Sequence, residues 1–298
     1  MFGYVKASVL LCCAYRLVMN IQTKESTLLA EFLHTHPRVL ILTGAGISQD
    51  SGIPTYRDNT GKWLSRTPIQ ERDFLTNPQT RQRYWVRSYY GWPLMRDAKP
   101  NLAHISLAEM ERRGQVELLI TQNVDRLHQQ AGSENVVDLH GRVDQVRCLG
   151  CATHFTRSDV QSMLHEENNL PEQIFQTPRP DGDMEVPDSL VTSLTSPVCK
   201  SCGGNLMPNV VFFGGSVPRP TVQHCMSALE RADALLVLGS SLSVLSGLRF
   251  CRQAQKLGKP VAIVNPGKTR GDDLAQLRLY SNAGPLLKKL ITLTSTIN

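Results

Sequence analysis

The chain has 298 residues, enough for one large domain or two modest ones with a substantial buried core. Hydrophobic residues make up 41% and charged residues 19%, the balance of a globular protein rather than a disordered or fibrous one. The net charge of +6 is mild and the basic residues are scattered, so a nucleic-acid-binding arm is not expected; no apolar run reaches about 18–20 residues, so neither is a membrane span.

Residues 1–21 contain a short apolar stretch, Ala7 to Tyr15, between Lys6 and Arg16, and no acid before Glu25. This extension reads as a mitochondrial presequence, a poor signal peptide, or sequence upstream of a start at Met19. No small-x-small cleavage site follows the apolar stretch, which weighs against export. The expected location is cytoplasmic, or the mitochondrial matrix if the extension is a presequence.

From residue 22 the pattern becomes regular. Residues 22–36 carry apolar side chains at helical spacing and Pro37 ends them. The run 38–43 (RVLILT) reads as a buried strand, as do 117–121, 135–139, 209–213, 234–238 and 260–264. Helical stretches at 101–113, 221–231 and 246–257 separate several of them. Alternating apolar strands and helices predict an α/β, Rossmann-like parallel sheet covered by helices on both faces. The polar stretch between two C-x-x-C pairs breaks this rhythm. It predicts a small second module at 143–207, inserted between the two parts, 22–142 and 208–298, of the larger domain.

Of eight cysteines, four fall in the pairs Cys148/Cys151 and Cys199/Cys202. Gly150, Gly203 and Gly204 allow the tight turns in which both thiolates of a pair face one metal. Four sulfurs make the closed set of one structural zinc and leave no position for a reactive water. Redox or free cysteines are the alternative.

Three loops sit where ligands bind in parallel sheets. Gly44-Ala45-Gly46-Ile47-Ser48 follows the first strand, Gly239-Ser240-Ser241 follows 234–238, and Asn265-Pro266-Gly267 follows 260–264. Each alone is an ordinary turn; together they point to a dinucleotide, although Gln49 stands where a third glycine is usual. Gln122, Asn123 and Asp125 end another strand and His140 ends the next. A neutral histidine there can take a proton near pH 7, or can merely be a satisfied strand-end residue.

The segments GAGIS-x-x-SGIPTYRD (44–58), TQNVDRLH (121–128), LHG (139–141), the paired C-x-x-C, PNVVFFG (208–214) and GSSLSV (239–244) together resemble the sirtuins, in the family's order, over about 38–290. RQRYW (81–85), GWP (91–93), PDGD (180–183) and DDL (272–274) are most similar to the class II branch, which includes the mitochondrial animal member and bacterial relatives. The resemblance implies an NAD-dependent protein lysine deacylase that consumes NAD, acts on acyl-lysine proteins or peptides, and releases nicotinamide and an O-acyl-ADP-ribose. It implies that His140 is the base and that Asn123 shares the catalytic site. Gly44 to Ile47 then line the pyrophosphate, Tyr56 and Arg57 a loop over the cofactor, Gln122 the ribose, and Asn123 and Asp125 the nicotinamide. Gly239 to Ser241, Asn265 to Gly267 and Ala283 fall on the adenosine side. Val210 and Phe212 lie in the substrate-pairing strand. Tyr84 and Arg87, three apart on one helix face, match a pair that receives carboxylate-ended acyl groups; the alternative is a surface helix with the arginine in solvent or paired with an acid. Mono-ADP-ribosyl transfer uses the same NAD cleavage, and a non-catalytic NAD and zinc interaction module is the third reading. Oligomeric state is not legible.

Overall fold

A computed structural model describes residues 24–57, 68–172 and 178–295. The expectations for residues 1–21 lie outside the described residues. Among the described residues no helix is long and apolar enough to cross a membrane.

The larger body is a six-stranded sheet in which every neighbouring pair is parallel. Its strands are β1 (Val39–Thr43), β2 (Val116–Thr121), β3 (Val136–Asp138), β7 (Ala234–Leu238), β8 (Val261–Val264) and β9 (Leu277–Leu279), in the spatial order β9-β8-β7-β1-β2-β3. The central strands VLILT and ALLVL are buried at every position, which is why their sequences do not alternate. Alternate residues serve opposite faces. Val39, Ile41, Leu236 and Leu238 pack with Leu29 and Leu33 of α1 (24–35), Leu107 and Met110 of α3 (Leu102–Arg112), and Leu286 and Leu290 of α7 (Ala283–Ser295). Leu40, Leu42, Leu235 and Val237 pack with Leu229 of α5 (Arg219–Arg231) and Leu248 and Phe250 of α6 (Leu245–Lys256). Each such side chain contributes about 1.5–3 kcal/mol by leaving water. The chain builds outward from β1 through β2 to β3, then returns to the other side of β1 through β7. The switch point between β1 and β7 opens a crevice at the strands' carboxyl ends.

The smaller body is an antiparallel sheet, β5-β4-β6, with β4 (Gly141–Cys148), β5 (His154–Thr156) and β6 (Leu206–Val210). Here the structure differs from the sequence reading. Run 209–213 is not a parallel strand: β6 ends at Val210, pairs with β4, and residues 211–213 continue half-buried along the cleft. An apolar run at a cleft rim has the composition of a buried strand, which explains the misreading. The small body also extends beyond 143–207, because helix α2 (Pro78–Asp97) supplies Trp85, Val86, Tyr89 and Tyr90 to its core.

Helix α2 carries Gly91 and Pro93 in its interior, and both have structural reasons. A Cβ on Gly91 would stand 2.2 Å from the Gly182 carbonyl oxygen, so only glycine lets segment 180–182 approach. Pro93 has no N–H for the Tyr89 carbonyl four residues back, and Gln161 Nε2 of α4 (Arg157–Glu167) donates to it instead at 3.0 Å. Arg157, fully buried, donates to Ser88 O at 3.0 Å and lies over the Trp85 and Trp92 rings, tying α4 to α2.

Candidate active site

A cleft of about 840 Å³ runs along the carboxyl ends of β1, β2, β7 and β8 and under the small body. Its walls include Gly44, Ala45, Gly46, Tyr56, Arg57, Gln122, Asn123, His140, Gly239, Ser240, Ser241, Asn265, Pro266, Gly267 and Ala283, together with Tyr84, Arg87, Val210 and Phe212. Segments far apart in sequence thus converge as expected. Two predicted contacts do not line it. Ile47 turns into the core, 2% exposed, against Ile41 and Leu238. Asp125 lies behind Asn123, 6% exposed.

The glycines have a different task from the one their motif suggested. A Cβ on Gly46 would meet the Gly239 carbonyl at 2.8 Å, and one on Gly239, which has φ +59°, would stand 2.5 Å from the Ile47 nitrogen. Gly46 N–H donates to Gly239 O at 2.8 Å. The glycines therefore let the β1 and β7 loops cross in contact, which shapes the crevice floor.

Behind that floor the hydrogen bonds have one direction. Asn123 Nδ2 donates to Gly44 O at 3.2 Å and to Ser48 Oγ at 2.9 Å, which spends both amide hydrogens and leaves Oδ1 as an acceptor. The Ser48 hydroxyl donates to Asp125 Oδ2 at 2.6 Å, and Leu127 N–H donates to Asp125 Oδ1 at 2.9 Å. Burial pushes the Asp125 carboxyl up, and these two donors oppose it. Asp125 thus positions Asn123 through Ser48. Gln122 Nε2 donates to Ser240 Oγ at 2.8 Å and Thr43 O at 3.1 Å, linking three strand ends.

His140 stands between the two bodies. Its backbone oxygen accepts from Val211 N–H at 2.8 Å, which holds the 211–213 segment beside it. Its Nδ1 lies 2.9 Å from Gln122 O and its Nε2 2.7 Å from Ser246 Oγ. Burial pushes the imidazole below its ordinary value; the Gln122 carbonyl opposes this and the Arg249 charge adds to it. The ring is therefore neutral near pH 7 and free to accept a proton.

Tyr84 and Arg87 stand beyond Phe212. The Tyr84 ring meets Phe212 edge-on at 5.3 Å and Phe74 edge-on at 5.4 Å, and Phe74 stacks on Phe212 at 4.9 Å, so the three rings form one cluster. Burial pushes the Tyr84 phenol up to about 12, so it stays protonated. Arg87 donates to both carboxylate oxygens of Asp183, at 2.7 and 2.6 Å, and to Met184 O at 3.2 Å. The arginine faces the cleft already paired with an acid.

The four cysteine sulfurs lie within 4.8 Å of one another, with Cys148–Cys202 at 3.4 Å and Cys151–Cys199 at 3.7 Å. Four thiolates at about 2.3 Å from one tetrahedral zinc stand about 3.8 Å apart, so the cluster fits that ion. Gly150 N–H donates to Cys148 Sγ at 3.2 Å, the partner a thiolate needs. The cleft fits a dinucleotide by charge as well as shape. Arg57, Arg219, Arg249 and Lys268 line it, beside two arginines already paired with acids, Arg87 with Asp183 and Arg179 with Glu185.

The Sir2 family model matches residues 44–246. The chain belongs to the Sir2 family. The Xanthomonas campestris pv. campestris (strain 8004) NAD-dependent protein deacetylase is 46% identical over 265 residues, 89% of this chain and 90% of that one. The NAD-dependent protein deacylase Sirt4 of Drosophila melanogaster is 44% identical over 265 residues, 88% of this chain and 85% of that one. A solved Sir2 complex with p53 peptide and NAD+ has a TM-score of 0.73 at 31% identity, covering 89% of this chain and 97% of that one. Within the Sir2 frame, sequence reasoning missed Ser48, Asp183, Val244, Leu245 and Ser246. Ser48 closes the glycine turn, and its role as the link between Asn123 and Asp125 was not read from it. Asp183 and Val244 close the quoted segments PDGD and GSSLSV without being given a role there, and Leu245 and Ser246 lie just past the second; Val244 and Leu245, 44% and 54% exposed, are apolar side chains left open at the cleft.

Proposed function

We propose that this Sir2-family chain is an NAD-dependent protein lysine deacylase, releasing nicotinamide and transferring the acyl group to ADP-ribose. The observation that carries this reading is the half-buried His140, its Nδ1 held by Gln122 O and its ring opening on the cleft beside Asn123. The relatives named as deacetylases and deacylases support it.

NAD supplies an electrophilic ribose carbon as its nicotinamide departs. The chain's own residues do the rest. The basic lining holds the diphosphate, and the β1 and β7 loops shape its seat. Asn123 presents its carbonyl oxygen to the cleft, an acceptor suited to a carboxamide N–H. Phe212, Phe213 and Tyr84 exclude water around the acyl chain, so positioning and a dry site contribute much of the acceleration. His140 accepts a proton at Nε2, and Gln122 O stabilises the imidazolium. Segment 210–213 on one side and Val244 with Leu245 on the other offer a slot in which an extended acyl-lysine peptide adds as a strand. The four-cysteine zinc is structural and takes no part in the chemistry.

The acyl preference follows from Arg87. With both carboxylate oxygens of Asp183 on its guanidinium, the pair is charge-balanced and favours uncharged acyl groups; a carboxylate-ended chain must compete with Asp183. The deacylase reading is tested by nicotinamide release with a panel of acyl-lysine peptides, with products identified by mass spectrometry. His140→Ala should lower turnover at least ~100-fold. Full activity in that variant, or ADP-ribose attached to the peptide in place of deacylation, overturns it.

A further inference from the structure

Nε2 of His140 has one hydrogen-bond partner among the described residues, the Ser246 hydroxyl at 2.7 Å. The two residues are 106 positions apart. Ser246 lies in the first turn of α6 and is 9% exposed. Its placement is fixed from both sides. Leu248, Phe250 and Cys251 anchor α6 in the core, and a Cβ on Gly247 would stand 2.6 Å from Gln122 Oε1, so the helix start rests directly on Gln122.

The bond directions follow from the other ring nitrogen. Nδ1 faces the Gln122 carbonyl, which can only accept, so Nδ1 carries a hydrogen whether the ring is neutral or charged. In the neutral ring Nε2 is bare and the Ser246 hydroxyl donates to it. In the imidazolium Nε2–H donates and Ser246 Oγ accepts. Only rotation of one hydroxyl hydrogen separates the two arrangements; no heavy atom moves. A lysine or a carbonyl in that place would serve one state and oppose the other.

We propose that Ser246 is a positioning residue for the base, the two-way partner that lets His140 change its charge in place in a half-buried site. This rests on the reading of His140 as the base. The surroundings make such a partner necessary. Burial and Arg249 of α6 both disfavour the imidazolium, and Gln122 O supports it from one side only. The nearby ionic groups on the other packed elements are engaged elsewhere: Asp138 of β3 with Arg126 and Gln129, and Arg142 of β4 with Asp144. Gln122, Asn123 and Ser240 carry no charge.

The sign of the effect follows. Ser246→Ala removes a neutral hydrogen bond from the neutral ring and a charge-assisted one, roughly twice as strong, from the imidazolium. The His140 pKa should fall by about one unit. Ser246→Thr keeps the hydroxyl and should restore the wild-type value, which also controls for packing at the helix start.

The test is imidazole NMR on the NAD-free protein, with the His140 signal assigned by its loss in His140→Gln. The expected result is the Nδ1–H tautomer in wild type, a pKa about one unit lower in Ser246→Ala, and recovery in Ser246→Thr. An unchanged or raised pKa in Ser246→Ala, or the Nε2–H tautomer in wild type, overturns the proposal. A second readout is the pH profile of nicotinamide release. In Ser246→Ala the acid limb should move down by about one unit and the plateau kcat fall about tenfold, with peptide KM within about twofold. A KM rise at constant kcat also overturns it. If wild type releases no nicotinamide, the deacylase reading fails, and the NMR titration still decides the role of Ser246.

Discussion

Replacing Asp183 by asparagine should switch the acyl preference. The wild-type Arg87 guanidinium donates two hydrogen bonds to the Asp183 carboxylate, at 2.7 and 2.6 Å, with the arginine side chain 17% exposed and the aspartate 37%. The carboxamide in Asp183→Asn would keep one acceptor oxygen and the shape but not the charge. Arg87 would then be a partly buried cation seeking an anion, in the wall of the cleft that Tyr84 and Phe212 also line. A charged hydrogen bond contributes about 1.5–3 kcal/mol. Asp183 is more than a third exposed, so solvent screening argues for the lower end of that range. Since 1.4 kcal/mol is about tenfold, the succinyl-to-acetyl ratio of kcat/KM should rise about tenfold in Asp183→Asn. Arg87→Ala should lose that gain when combined with it. The assay is nicotinamide release from matched acetyl- and succinyl-lysine peptides for wild type, both single variants and the double variant. A ratio that stays within about twofold in Asp183→Asn would refute the idea that Asp183 screens Arg87 from the acyl group.

Two further outcomes follow from the same structure. The purified protein should carry one zinc per chain by atomic emission, and Cys202→Ser should lose the metal, with the small body unfolding before the parallel sheet in limited proteolysis. Burial pushes His104 down to about 4 and His128 well below its ordinary value, so the unfolded chain binds protons that the native one excludes. Stability is therefore fully present above about pH 6.5 and lost as pH falls toward 4, by roughly 3 kcal/mol from His104 alone; urea titrations at about pH 7 and 4.5 should show a loss that His104→Gln reduces.

The parallel sheet was legible because β1 and β7 are buried on both faces and so write unbroken apolar runs. The zinc cluster was legible because its ligand spacing is local. His140 could be placed at a strand end, but its chemistry could not be read until Gln122 and Ser246 were seen on its two nitrogens. Those contacts join residues 18 and 106 positions apart, and no period or motif records them. Arg87 illustrates the same limit. A Tyr-x-x-Arg spacing predicts which face the arginine occupies, whereas the acid that answers it arrives from 96 positions away. Helix α2 continues through Gly91 and Pro93, residues that ordinarily break a helix, because Gly182 and Gln161 meet them from other elements. Ile47 and Asp125 belonged to motifs whose neighbours face the cleft, while their own side chains point behind it.

Strand β4 begins at Gly141, next to His140, and ends at Cys148; β6 begins at Leu206, near the second cysteine pair, and ends at Val210, where the cleft lip starts. The two paired strands form a beam, with the metal clamp at one end and the base and lip at the other, on the order of 20 Å apart. The clamp sets where the free end of that beam rests. A change in the cysteine knuckles that kept the metal but tilted it would move His140 and residues 211–213 together. Such a change would alter the grip on a peptide and the aim of the base in one motion, with every reacting side chain intact.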